Sequence, residues 1–397
     1  MTSPKSAYTT AIIAALVAIG PLSTDMYLPA FPTLIQVFDT ELNRVQYTLS
    51  VFMIGFAVAQ LIYGPLSDRH GRKPVLLGGM VIFLISTIII VYVDNIETLI
   101  MLRFFQAVGG SAGPVLGRAM VRDIHGPKES AKQLAYIGTA MALAPAVAPV
   151  LGGYFTIWWG WESTFIFLAV YAVIIILIFT INISETAPPG SHHVLTVSRL
   201  FKNYLTLLKH QTWPWYTFIC AFVFSGLFSF LSGSSFIIID FLGFAEEQFG
   251  LFFAIIVIGF MVGALGGARL LNNYDIDTLI GWGAILAAVS GSVMAILAIF
   301  EVYHIVAIIL PHTFYMAAVG LVMPQAMSGA LAPFPQMAGT SSAFLGFIQM
   351  SAGATVGIIV GHSHDGTPRS MAISIALMGI MTLFSYIMLR RAKSKSS

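Results

Sequence analysis

Few ionisable residues stand inside the apolar stretches of this chain, and their chemistry is the first clue to what it does. Asp25 lies in PLSTDMYLPAFP at 21–32, and Arg103 lies in LRFFQAVGGSAG at 102–113. A charge in the middle of a bilayer costs roughly 2.5–3.5 kcal/mol on insertion scales, so such groups usually face a cavity or a partner. Burial disfavours a charged carboxyl and a nearby arginine favours it, so a carboxyl held between the two can bind and release a proton.

The composition requires a lipid environment for most of the chain. Of its 397 residues, 57% are hydrophobic and 9% are charged, against about 25% charged residues in soluble domains. The net charge of +2 gives no indication of a nucleic-acid partner, and the single cysteine, Cys220, excludes an intrachain disulfide and suggests no metal site. No cofactor is expected. An enzyme is not expected either, because no H-E-x-x-H, G-x-S-x-G or paired catalytic acids occur.

Twelve stretches are long and apolar enough to span a membrane as helices, and together they predict an all-α membrane protein. We interpret the first of them as a membrane helix rather than a cleaved signal peptide, because no small-x-small site precedes a polar segment. The predicted spans are 8–36, 44–66, 74–93, 96–121, 131–157, 163–183, 213–239, 247–271, 278–300, 304–332, 337–361 and 369–389. The long gap at 184–212 predicts two six-helix halves, 1–183 and 213–397, joined by a linker.

The linker contains a pattern of its own. Its apolar residues recur at helical spacing, with basic residues between them, which predicts an amphipathic helix lying on the inner leaflet. The apolar residues are Val197, Leu200, Phe201, Tyr204, Leu205 and Leu208, and the basic residues are Arg199, Lys202 and Lys209.

Lysine and arginine predict the orientation, with both termini cytoplasmic. Fifteen of the nineteen basic residues fall on the predicted cytoplasmic side, whereas the predicted outer loops carry only Arg44 and Arg369. The fifteen are Lys5, Arg69, Arg72, Lys73, Arg122, Lys128, Lys132, Arg199, Lys202, Lys209, Arg269, Arg390, Arg391, Lys393 and Lys395.

Depth along the predicted helices suggests a partner for Asp25. It follows Tyr8 by 17 residues and Arg103 follows Ile96 by 7, which places them roughly 25 Å from the inner and 10 Å from the outer edge by helical rise. Both then lie in the outer half of a core about 30 Å thick. A structural ion pair is the simpler interpretation, and a protonation site is the one that we favour.

Two other ionisable residues in the spans are assigned lesser roles. Arg118 falls at the cytoplasmic edge and is expected to be structural. His312 follows Pro311, and we expect a hydrogen-bonded polar residue there, with a proton relay as the alternative.

Prolines and small residues predict special backbone geometry. Pro21, Pro29 and Pro32 each remove a backbone donor, so the first helix is expected to bend around Asp25. Four predicted helices carry small residues at i, i+4 spacing, which we interpret as interfaces between the halves. These rows are Gly55 and Ala59; Ala144, Ala148 and Gly152; Gly259, Gly263 and Gly267; and Gly353, Gly357 and Gly361.

The segment between the second and third spans, GPLSDRHGRKP at 64–74, resembles the loop motif G-x-L-x-D-R-x-G-R-[KR] of the major facilitator superfamily. Its glycines permit a tight turn, its acid can meet a helix N-terminus and its arginines can pair with Asp123 at the end of the fourth span. We interpret it as a gate latch; a topology signal alone is the alternative. The matching residues are Gly64, Leu66, Asp68, Arg69, Gly71, Arg72 and Lys73.

Two further motifs resemble the same superfamily. Arg103 and Gln106 match its R-x-x-Q-G motif, with Ala107 in place of glycine. The segment APVLGG at 148–153 resembles the antiporter motif G-P-x-x-G-G, which is associated with exporters, and Ala148 replaces its first glycine. The residues assigned to this helix-5 motif are Pro145, Ala148, Pro149, Gly152 and Gly153.

The stretch TDMYLPAFP in the first span and FPQMAGTSSA at 334–343 are similar to the bicyclomycin-resistance (Bcr/CflA) branch of drug:proton antiporters. The resemblance implies two six-helix halves that export small hydrophobic drugs in exchange for protons by alternating access, as a monomer. Asp25 would then carry the proton or bind drug, Arg103 would tune it and Gln106 would offer polar contacts. A dedicated exporter of a metabolite or amino acid is the alternative, and an uncoupled facilitator is a further one.

Overall fold

The computed structural model describes residues 4–187, 197–334 and 337–394, and its regular elements within those ranges are all helical. Lys395 and the linker residues 188–196 lie outside the described residues, as do the side chains of Lys128, Lys132 and Arg199. The chain divides into two compact units, 1–195 and 196–397. Eleven of the described helical segments are long and apolar enough to cross a membrane, and a shorter apolar helix, Leu143–Trp159, accompanies them.

The described part of the first unit, 4–187, contains seven α-helices. They are α1 (Pro4–Asp25), α2 (Phe31–Val37), α3 (Leu42–His70), α4 (Arg72–Ile90), α5 (Ile96–Gly110), α6 (Ala112–Trp159) and α7 (Glu162–Asn182), with a 3-10 turn, Leu28–Ala30, between the first two. The second unit contains α8 (Val197–Lys209), α9 (Trp213–Ser235), α10 (Glu246–Leu270), α11 (Ile276–Ile299), α12 (Ile305–Leu331), α13 (Ala338–His362) and α14 (Arg369–Ser394). A π-helical segment, Phe236–Phe241, follows α9.

The first predicted span is interrupted at Asp25, as its prolines predict. Helix α1 ends at Asp25, and the chain re-enters helical geometry in the 3-10 turn Leu28–Ala30. Pro29 has no N–H to donate to the carbonyl four residues before it, which is the carbonyl of Asp25, so the α-helical pattern stops there. The carboxyl of Asp25 therefore stands at a helix end inside the fold.

Helix α6 covers the connection that the sequence predicts to be a cytoplasmic loop after the fourth span, so the prediction of a non-helical loop there is wrong. The chain nevertheless reverses within α6. Gly113 lies against the carbonyl of Leu16, and Gly152 lies against the carbonyl of Met26. If α6 were straight, Gly113 and Gly152 would be roughly 58 Å apart, whereas their partners Leu16 and Met26 are only roughly 15 Å apart along the first span. A straight α6 therefore could not make both contacts. The two arms of α6 thus pack on α1 in opposite directions and serve as the end of span 4 and as span 5.

The small-residue rows bring helices together within each unit. A Cβ on Gly55 would be 2.7 Å from the carbonyl oxygen of Phe104 in α5. In the second unit, a Cβ on Gly259 would be 2.3 Å from the carbonyl oxygen of Thr313 in α12, and Gly353 packs against Phe224 in α9. The interpretation of these rows as interfaces between the halves is therefore wrong for these residues. The close helix packing they predict is correct.

The two arginines predicted on the outer side each have an acidic neighbour. Arg44 forms an ion pair with Glu97 at 3.1 Å, and Arg369 forms one with Glu301 at 2.5 Å. Both pairs are partly exposed, so each contributes little to stability. They do neutralise the only two basic residues that break the predicted charge asymmetry.

Candidate functional site

Asp25 is almost fully buried and has a single described polar neighbour. Its exposed fraction is 5%, and its Oδ1 accepts a hydrogen bond of 2.8 Å from the hydroxyl of Thr24. It is the last residue of α1, where the helix dipole opposes a negative charge. Burial and the helix end both make the ionised form costly, and one hydroxyl donor offsets only part of that cost.

Arg103 is completely buried in α5, and its guanidinium is surrounded by aromatic rings. Its Cζ lies 4.3 Å from the ring centroid of Phe52, 4.8 Å from that of Tyr27 and 5.8 Å from that of Phe165. A cation over an aromatic face gains about 0.5–2 kcal/mol when desolvated. Three elements, α3, α7 and the break after α1, therefore hold this cation by their rings.

A short polar chain fixes one side of the guanidinium. Nη1 of Arg103 donates to Oε1 of Gln106 at 2.6 Å, Nε2 of Gln106 donates to the hydroxyl of Thr87 at 2.8 Å, and that hydroxyl donates to the carbonyl of Phe83. Among the described residues, Nε and Nη2 of Arg103 have no acceptor. The cation thus has two unused donors and an orientation fixed by Gln106.

Asp25 and Arg103 are not in an ion pair in the described structure, so the predicted pairing is not found. The described link between them is Tyr27, which follows the acid by two residues and whose ring lies over the guanidinium of Arg103. Depth arithmetic places two residues at one height but not on facing sides of their helices. Sequence reasoning missed Tyr27, Phe52, Phe165 and Thr87. Tyr27 stands in the stretch TDMYLPAFP, but no motif singles out the other three.

The helix-5 motif lies directly beside the acid. Ala148, Pro149, Gly152 and Gly153 are buried, and Pro145 is half-buried one turn earlier in α6. A Cβ built on Gly152 would lie 2.0 Å from the carbonyl oxygen of Met26, the residue that follows Asp25. The glycine is required because α6 meets the backbone of the break itself.

Gly152→Ala is therefore expected to be strongly damaging, because the added methyl cannot fit against the Met26 carbonyl without moving α6. We expect a lower melting temperature, by the equivalent of about 1–3 kcal/mol for overpacking, and loss of transport. Gly64→Ala is the matched control, since a Cβ there meets nothing within 4 Å and alanine favours a helix by about 1 kcal/mol. Equal melting temperatures for the two variants in a thermal unfolding assay would contradict this packing.

The cytoplasmic motif forms an ion-pair cluster centred on Arg72. Its Nη1 lies 2.6 Å from Oδ1 of Asp68 and also donates to the hydroxyl of Ser67, and its Nε lies 3.2 Å from Oδ2 of Asp123. The expected contact with Asp123 is therefore present, made by Arg72. Arg69, by contrast, is exposed.

The segment 64–74 is not the loop that the sequence predicts. Helix α3 continues through Gly64 and Asp68 to His70, and α4 begins at Arg72, so the turn is the single residue Gly71. Its φ of 93° is in the region that glycine favours. Gly64 thus supplies no turn, contrary to the prediction, whereas Gly71 does.

The acid that meets the N-terminus of α4 is Glu185, which sequence reasoning missed; Asp68 was expected there. Its carboxylate accepts from the backbone N–H groups of Arg72 at 2.9 Å, Lys73 at 3.1 Å, Thr186 at 2.8 Å and Ala187 at 2.9 Å. Partial burial acts to raise the pKa of this carboxyl, but these backbone donors outweigh burial and hold the pKa below its ordinary value. Lys73 adds a further link, between α4 and α7, because its Nζ donates to the carbonyl of Thr180 at 2.8 Å. The one signal that could have found Glu185 is that it is an acid on the face predicted to be basic and cytoplasmic.

Glu185→Ala is expected to destabilise the first unit by about 1 kcal/mol, because the N-terminal donors of α4 lose their acceptor. Since the folded pKa of Glu185 is lowered, its stabilisation is complete above the ordinary glutamate pKa of about 4.3 and is lost as the pH falls through the lowered value. Melting temperature measured against pH should therefore fall more steeply in acid for the unsubstituted protein than for Glu185→Ala. Parallel curves would exclude this capping role.

The described part of the second unit contains one buried acid, Asp277, in a cluster with Tyr216 and Lys393. Asp277, in the first turn of α11, accepts from the hydroxyl of Tyr216 at 2.6 Å and from Nζ of Lys393 at 2.5 Å. Lys393 also lies 5.3 Å from the centroid of the Tyr216 ring. The cluster therefore joins the starts of α9 and α11 to the end of α14.

The surroundings of His312 differ from those that the sequence predicts. The ring is fully buried and stacks on Phe230, with centroids 4.0 Å apart, and on Tyr315, with centroids 5.7 Å apart. Neither ring nitrogen has a hydrogen-bond partner among the described residues. The expectation of a hydrogen-bonded polar residue is therefore wrong for this structure, and stacking positions the ring.

The amino-acid sequence matches the family model described as Major Facilitator Superfamily over residues 13–358. It is 27% identical over 377 residues to a bicyclomycin resistance protein homolog of Haemophilus influenzae, covering 95% of this chain and 94% of that protein. It is 26% identical over 372 residues to multidrug resistance protein D of Escherichia coli, covering 94% and 93%. The predicted resemblance to the superfamily and to its bicyclomycin-resistance branch is confirmed.

The fold is likewise that of a solved transporter. A crystal structure of a D-xylose-proton symporter superposes with a TM-score of 0.77 at 14% identity, covering 96% of each chain. At that identity the likeness concerns the fold alone. It confirms the predicted all-α fold class of twelve membrane helices in two six-helix halves.

Proposed function

Because the chain belongs to the major facilitator superfamily, we propose that it exports small hydrophobic drugs in exchange for protons, by alternating access of its two halves. The relatives named for bicyclomycin and multidrug resistance support the drug class. The basic residues on one predicted face support a multi-pass protein of the bacterial inner membrane with both termini cytoplasmic. A monomer suffices for this mechanism.

The observation that carries proton coupling is the position of Asp25. A carboxyl that is 5% exposed, ends a broken helix and has one hydroxyl donor is stable when protonated and costly when ionised. An approaching cation, water or drug donor changes that balance. We assign the stabilisation of the ionised form to Arg103, which has two unused donor atoms and lies over the ring of Tyr27 in the backbone break, once the break at 26–27 rearranges.

Binding of drug and proton is then mutually exclusive at Asp25, and this exclusion is what an antiporter requires. Gln106 holds the arginine through its 2.6 Å hydrogen bond, and the helix-5 motif lets α6 support the break. We assign the latch of the cytoplasmic gate to Arg72 with Asp68 and Asp123, since these ion pairs join three helices and can break as the half moves. The other residues of the motif, Gly64, Arg69, Gly71 and Lys73, shape or flank that latch.

Inverted membrane vesicles test the proposal directly. Respiration acidifies their lumen, and adding a transported drug should release luminal protons and restore the fluorescence of a pH-sensitive dye. Bicyclomycin, a phenicol and a sulfonamide are the first panel. Response to one metabolite or amino acid and to none of the drugs would favour the dedicated exporter, and drug uptake without proton release would indicate an uncoupled facilitator.

A further inference from the structure

Helix α8 presents three large apolar side chains to its surroundings. Phe201 is 65% exposed, Leu205 is 40% exposed and Leu208 is 43% exposed. Residues at this i, i+4, i+7 spacing lie on one face of an α-helix. With 13 residues, the helix is too short to span a bilayer, which takes about 20 residues.

The other side of α8 packs against the protein. Leu207 is completely buried, and the ring of Tyr204 stacks on that of Phe344 in α13 with centroids 4.5 Å apart. Phe344 in turn stacks on Trp213, whose Nε1 donates to the hydroxyl of Ser341 at 2.7 Å. These contacts fix the rotation of α8 about its own axis, so the exposed apolar face has a defined direction.

The basic side chains of α8 lie apart from both its exposed apolar face and its buried side. Because successive residues turn by about 100°, Lys202 and Lys209 project together at roughly 90° from the apolar face, on the side away from Leu207. Both are exposed, and neither forms an ion pair with a described residue. The helix VSRLFKNYLTLLK contains no acid. Its free surface is therefore an apolar stripe with a positive border.

We propose that α8 is a binding site for anionic phospholipid. Phe201, Leu205 and Leu208 insert among the acyl chains, and the ammonium groups of Lys202 and Lys209 pair with headgroup phosphates. A stripe of this width beside two co-directed cations matches a helix lying in the interface between headgroups and chains. A zwitterionic lipid satisfies the apolar stripe equally well but offers no net negative charge to the lysines. The site anchors the cytoplasmic start of the second unit, and it stands independently of the transported substrate.

The single cysteine makes the test clean. Cys220 is buried, so Leu208→Cys can carry a fluorescent label at one exposed position, with unsubstituted protein reporting any labelling of Cys220. In nanodiscs of phosphatidylcholine and phosphatidylglycerol, spin-labelled versions of both lipids should quench the label, phosphatidylglycerol more strongly. Thr206→Cys, exposed on the polar side, is the positional control and should be quenched less.

Charge variants decide the lipid class. Each lysine near an anionic surface strengthens lipid association about fivefold. The double variant Lys202→Gln with Lys209→Gln should therefore lower the preference for phosphatidylglycerol over phosphatidylcholine by about 25-fold. Lys202→Arg with Lys209→Arg should retain it. Equal quenching by the two lipids in the unsubstituted helix would overturn the proposal, as would a Thr206 label quenched as strongly as the Leu208 label.

Discussion

Asp25→Asn is expected to abolish drug-driven proton release in inverted vesicles while leaving drug–drug exchange intact. Asparagine has nearly the shape of a protonated aspartate and can keep the 2.8 Å contact with Thr24, so the break after α1 should persist. It cannot lose a proton, so drug can no longer displace one. We expect net efflux against a gradient to be lost, because drug movement is then no longer linked to proton movement.

The measurement compares two assays on the same vesicles: recovery of the pH-sensitive dye on drug addition, and exchange of radiolabelled drug at equilibrium. Asp240→Asn is the matched control, because Asp240 is an exposed acid in the π-helical segment. The central claim is wrong if Asp25→Asn releases protons at the rate of the control. Loss of exchange as well as of proton release would instead assign the acid to drug binding.

Arg103→Met is expected to remove coupled efflux without a matching loss of stability. A buried cation with no acidic partner among the described residues carries a desolvation cost of several kcal/mol, and an apolar side chain of similar size often restores or exceeds the original stability. The lost cation–π contacts and the orphaned Oε1 of Gln106 act in the other direction. We expect the free energy of unfolding to stay within about 1 kcal/mol of the unsubstituted protein or to rise.

Gln106→Leu supplies the contrasting case. It leaves the buried Nη1 of Arg103 without its acceptor, which costs about 1–3 kcal/mol, while the hydroxyl of Thr87 keeps its bond to the carbonyl of Phe83. Thermal unfolding should therefore rank Arg103→Met above Gln106→Leu, whereas both should lose drug resistance in a growth assay. A melting temperature for Arg103→Met below that of Gln106→Leu would show that the aromatic cage depends on the cation.

Sequence reasoning succeeded for features that local sequence determines, such as helix breaks, motif contacts and the number of spans. The prolines of the first span predict a bend around Asp25, and the chain does leave α-helical geometry there, at the turn that contains Pro29. The contact between Arg72 and Asp123 follows from a motif and a charge at the ends of two predicted helices. The count of spans follows from hydropathy and the bilayer thickness.

It failed where the outcome depends on how helices are rotated against one another. Phe52 and Phe165 are two of 30 phenylalanines, and no pattern marks them as the ones that surround Arg103. Glu185 lies 113 residues from Arg72 in the chain, so their contact requires the packing of α7 on α4. The pairing of Asp25 with Arg103 failed for the same reason, since equal depth leaves the direction of each side chain open.

The cluster at Asp277 bears on how this protein can be handled. Lys393 stands four positions before the last residue of the sequence, and its ammonium is the cation that neutralises an acid whose side chain is 6% exposed. Trimming the tail to Ala392, or fusing an affinity tag in its place, would leave that acid with the Tyr216 hydroxyl alone. A purification handle should therefore leave Lys393 in place, and a C-terminal deletion series should lose yield abruptly between Ser394 and Ala392 rather than gradually.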